Sequence, residues 1–99
     1  MSVKVGAYVW LPCEVKPGPF SDERMVRVAS EFGDWVGFVS VSSLKDPVSQ
    51  GRTLIHALVI DVQGDRLSAM LPGESLSSTL LLTGLSQVES VDSVEARHP

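Results

Sequence analysis

The sequence is poor in the residues from which most chemical sites are built: among 99 residues it has one cysteine and two histidines. With Cys13 alone, no disulfide can close within the chain and no cysteine pair offers a structural zinc site, so we expect no bound metal, no cofactor and a reducing compartment. Cations are neither clustered nor in surplus, with 8 Lys and Arg against 12 Asp and Glu. Because phosphate backbones are held by clustered Lys and Arg, nucleic acid is a poor partner. Apolar runs such as Ala57 to Ile60 are far too short to span a bilayer, and Met1 to Tyr8 lacks the basic and apolar regions of a secretory signal. The expectation from these absences is a cytoplasmic, bacterial protein without membrane association.

What is present is a folding sequence. Its length suits one domain, and 43% apolar with 20% charged residues is unlike the composition of disorder. The negative charge is placed unevenly. Basic and acidic residues balance as far as Arg52, whereas beyond it Arg66 and Arg97 face Asp61, Asp65, Glu74, Glu89, Asp92 and Glu95.

The periodicity is that of strands. Val3, Val5, Ala7, Val9 and Leu11 fall on one face of an alternating segment, which predicts a half-buried first strand. Three prolines and a glycine between Pro12 and Asp22 predict a long connection. Glu23 to Ser30 and Trp35 to Val41 predict a hairpin turning at Gly33, and Leu54 to Val62 with Arg66 to Leu71 a second, turning at Gly64. Thr79 to Thr83 adds a sixth strand. A single domain over residues 1–86 follows, with 87–99 read as a weakly structured acidic tail. Glu23-Arg24-Met25 and Asp65-Arg66-Leu67 each open a strand, and each unit ends near Leu44 or Leu85. This repetition suggests a pseudo-duplicated pair of three-stranded units in one barrel.

The string GDWVGFVSVSSL, Gly33 to Leu44, resembles the closing segment of Src-homology-three domains, in which a Gly-aromatic-aliphatic-Pro strand runs into a short helical turn and an aliphatic residue. Ser40 and Ser43 stand where that family has its proline and tyrosine, so the resemblance implies the fold without the proline-rich-peptide groove. AYVWLP (Ala7 to Pro12) and VIDVQGDRLSAMLPG (Val59 to Gly73) are similar to the Src-homology-three-like barrel at the amino terminus of myosin motors. Both resemblances imply an all-β, small Src-homology-three-like barrel of about six strands, and neither implies an activity.

No paired carboxylates, nucleophile with base, or metal cluster is legible. The aromatic residues are more telling. If Val9 and Leu11 point inward, Tyr8 and Trp10 point outward, and such rings need a cover. The leading expectation is therefore a non-enzymatic module for protein–protein interaction or homo-oligomer formation, binding a partner or itself through Tyr8, Trp10, Phe20 and Trp35. The alternative is a small-ligand-binding protein or enzyme subunit with a site at the barrel mouth or a subunit interface, built on His56 with Asp61 or Cys13. His56, in phase with Leu54, Leu58 and Ile60, is expected to face inward or lie at the mouth.

Overall fold

The computed structural model describes residues 3–31, 33–75 and 80–92, which are all β with no α-helix among them. Six antiparallel strands make a nearly closed barrel: β1 (Tyr8–Pro17), β2 (Glu23–Val28), β3 (Trp35–Ser40), β4 (Arg52–Gln63), β5 (Arg66–Met70) and β7 (Leu80–Gly84). They neighbour one another in the order β3-β2-β1-β4-β5-β7. Two short strands lie beside them, β6 (Glu74–Ser75) on β3 and β8 (Ser90–Asp92) on β1.

Alternation decides what the barrel encloses. Val9, Leu11 and Cys13 of β1 point inward with Ile55, Ala57 and Val59 of β4. Val26, Val28, Trp35 and Val39 fill the first half of the core, and Leu67, Ala69, Leu71 and Leu81 the second. At Ile60 a β-bulge shifts the phase of β4, so that Val62 turns toward the core opposite Leu67.

The second half repeats the pairing of the first, with β4, β5 and β7 standing for β1, β2 and β3. Val15↔Val26 and Val26↔Gly37 are answered by Val59↔Ala69 and Ala69↔Leu81. The turns repeat as well. Each third strand runs into a 3-10 turn, Val41–Ser43 or Leu85–Gln87, whose first N–H reaches back to the carbonyl of Asp22 or Asp65. Each turn then drops an aliphatic side chain, Leu44 or Val88, into the core. The next N–H, of Lys45 or Glu89, bonds to Leu54 or Trp10 on the partner half's long strand. The pairing thus repeats between the halves, but not in the register expected from the sequence: Asp22, not Glu23, answers Asp65, and Val88, not Leu85, answers Leu44.

Closure is reciprocal. β6, from the connector after β5, pairs with β3, while Glu31 and Ser30, from the connector after β2, hydrogen-bond to Leu82 of β7. Gly73 allows the first of these approaches: at φ +94° it sits where a Cβ would run into the Phe38 carbonyl.

Three expectations are corrected. The first strand begins at Tyr8 and passes through Pro12 to Pro17, the segment read as a loop. Proline is tolerated because N–H and C=O of alternate residues in an antiparallel strand point to opposite edges. The Trp10 carbonyl bonds to Glu89, away from β4, so Pro12 also faces that edge, in the gap between β8 and β2 where no ladder bond is lost. Trp35 lies on the inner face of β3 and is the largest fully buried side chain, at 1% exposed. The barrel also does not stop at residue 86: Val88 is buried and β8 pairs with Tyr8–Trp10. The rest of the expected tail, 93–99, lies outside the described residues.

Candidate interaction surface

The outer face of the β1–β4 ribbon carries the rings of Tyr8, Trp10 and His56. With Val9 and Leu11 inward, Tyr8 and Trp10 face out, half-buried, as the alternation requires. Register places His56 directly opposite Trp10 and diagonal to Tyr8. Its imidazole stacks on the Tyr8 ring, centroids 4.5 Å apart and planes 12° from parallel, and meets Trp10 at 4.7 Å with a 38° tilt. Aromatic pairs of this geometry are worth about 0.5–1.5 kcal/mol beyond their burial. His56 therefore belongs to the outer face; Ile55, Ala57 and Val59 take the inward positions of β4, so of the two placements expected for His56, inward or at the mouth, the inward one does not occur.

Lys45 completes the cluster. The 3-10 turn Val41–Ser43 and the buried Leu44 bring it to β4, where its N–H bonds to Leu54 and its carbonyl accepts from the Thr53 hydroxyl. Its ammonium then lies 5.2 Å from the Trp10 ring centroid, a cation–π contact worth about 0.5–1 kcal/mol at an exposed site.

Beside the stack is a groove of about 220 Å³. Tyr8, His56, Leu58 and Met70 line it together with Ser43, Leu71 and Pro72. Met70 is 47% exposed, leaving flexible thioether surface open to contact. Sequence reasoning missed Lys45, Leu58 and Met70, because only the turn after β3 brings Lys45 beside Trp10 and only the register brings Leu58 and Met70 beside Tyr8.

Of the four residues expected to bind a partner, the structure brings together Tyr8 and Trp10. Phe20 is 65% exposed, but on the connector at the far end of β1, and Trp35 is in the core. Within one chain the alternative set does not come together. Cys13 faces the interior, opposite to His56, and burial pushes its thiol up to about 11 against a partly offsetting hydrogen bond from the Thr53 backbone. Asp61 is five residues along β4 from His56, roughly 16 Å by strand rise, and accepts hydrogen bonds from the Val62 N–H and the Gln63 amide. Among the described residues no three His, Cys, Asp or Glu side chains gather as a metal ion would require. Compared with models of protein families, with curated proteins and with solved structures, the chain matches none.

Proposed function

We propose that this barrel is a non-enzymatic interaction module whose outer β1–β4 face receives an apolar or aromatic side chain of another protein chain. The observation that carries the reading is the Tyr8–His56–Trp10 stack beside an open groove lined by Leu58 and Met70. Rings held by mutual stacking lose little side-chain freedom on contact, which is why aromatic residues anchor interfaces. Within the same reading the barrel is Src-homology-three-like, supported by the passage of β3 into a 3-10 turn and a buried Leu44. That likeness concerns fold alone and adds nothing about the partner.

The test is a titration of isotopically labelled protein with N-acetyl-tryptophanamide and N-acetyl-leucinamide. Amide shifts should concentrate at Tyr8, His56, Leu58 and Met70 and vanish in Leu58→Glu. Shifts scattered over the barrel, or gathered at another site, would overturn the reading.

A further inference from the structure

The relation that repeats the backbone also repeats the groove. In the half-to-half correspondence, Tyr8, His56, Leu58 and Met70 are answered by Arg52, Pro12, Glu14 and Arg27, and Ser43 and Pro72 by Gln87 and Ala29. All six counterparts line one cleft of about 130 Å³. The frame is the same and the chemistry is different: Tyr8, His56, Leu58 and Met70 on one side, Arg52, Pro12, Glu14 and Arg27 on the other.

We propose that this charged cleft is a second docking site on the same face, and that it takes an acidic side chain of the segment whose apolar side chain fills the aromatic groove. The inference rests on the interaction reading above. Arg27 and Arg52 line the cleft with one acidic residue, Glu14, in a chain whose net charge is −4. Arg52 makes no ion pair among the described residues. Arg27 meets Asp34 only at 3.9 Å, with both side chains about half exposed, and such a pair is easily opened. The guanidinium fork matches a carboxylate in two parallel hydrogen bonds.

The spacing fixes the kind of segment. Tyr8↔Leu58 and Glu14↔Arg52 are rungs of the same β1–β4 ladder, six residues apart and so roughly 20 Å. Half-buried Trp10, Pro12 and Leu54 pave the strip between them. An extended peptide covers that distance in about six to eight residues.

A randomised twelve-residue peptide display library, selected on the immobilised full chain, tests this. Selected peptides should carry an aromatic or large aliphatic residue and an Asp or Glu about six to eight positions away. For one selected peptide, Arg52→Glu should weaken binding about tenfold or more and Glu14→Gln should strengthen it, while amide spectra show both variants folded. An apolar anchor selected without an acid, or an acid preference unchanged in Arg52→Glu, overturns the charged site and leaves the interaction reading standing. Failure to enrich any peptide that contacts the aromatic groove overturns both.

Discussion

Leu11 and Ile55 face each other across β1 and β4, and each is also the other's counterpart in the repeat. Both relations hold at once only on a two-fold axis, so the axis relating the halves passes between these two side chains, each no more than 1% exposed. Leu11→Ala and Ile55→Ala should each cost about 2–5 kcal/mol, the range for emptying a packed core position. As directly opposed neighbours they should also couple, the double variant departing from additivity by about 0.5 kcal/mol or more. Urea unfolding measures both. A cost below about 1 kcal/mol for either would mean that the centre of the barrel is not packed on this pair.

The two tryptophans should separate by their effect on stability. Trp35→Ala should cost about 3–5 kcal/mol, whereas Trp10→Ala, removing a half-buried outer ring, should leave the barrel folded at about 1 kcal/mol. Trp35→Phe should cost much less than Trp35→Ala, because the buried indole N–H has no acceptor among the described residues and its removal relieves a desolvation penalty of about 1–3 kcal/mol. Equal losses from Trp10→Ala and Trp35→Ala in thermal melts would contradict these placements.

The hairpins were legible because β2–β3 and β4–β5 are local, each turning at a glycine of positive φ between two extended segments. The phase of β4 was not. Leu54 to Ile60 is apolar on both faces apart from His56, so alternation alone could not say whether Ile55 or Leu54 points inward; packing opposite Leu11 decides it. Pro12 misled for a related reason, since its missing donor matters only on an edge that pairs, and β1 changes neighbours from β8 to β2 at that point. Tyr8 and Trp10 were readable as outward from their own strand. Lys45 and Met70 were not readable as their neighbours, because register and a 3-10 turn bring them there.

Alkaline pH should weaken the fold through Cys13. Burial raises its thiol from 9.0 to about 11, so the folded state keeps a proton that the unfolded chain has released. This contribution is complete below pH 9 and is lost as pH rises through about 11. Unfolding free energies across that window should fall less steeply for Cys13→Ala than for the parent chain. Parallel slopes would show that the thiol titrates alike in both states.

A chain ending at Glu89 should be destabilised by about 1–2 kcal/mol, because it loses the pairing of β8 with Tyr8–Trp10 and the packing of Val91 against the core. In a domain of this size that is a drop of roughly 4–8 °C per kcal/mol in the melting temperature. An unchanged melting temperature would show that β8 contributes nothing to stability.

The reciprocal closure of the two halves makes the order in which the strands are strung separable from the barrel they build. The link between the halves is a tight turn at Gln50-Gly51, both at positive φ, closed by the Ser49↔Arg52 bridge. Asp92 and Tyr8 face each other in the same manner at the opposite end of the ribbon. A circular permutant opened between Gln50 and Gly51, with Asp92 led through a short Gly/Ser linker into Val3, should therefore recover the same β-sheet circular dichroism and cooperative melting. If it collapses without a cooperative transition, the turn at Gln50-Gly51 is a folding determinant and not a mere connection.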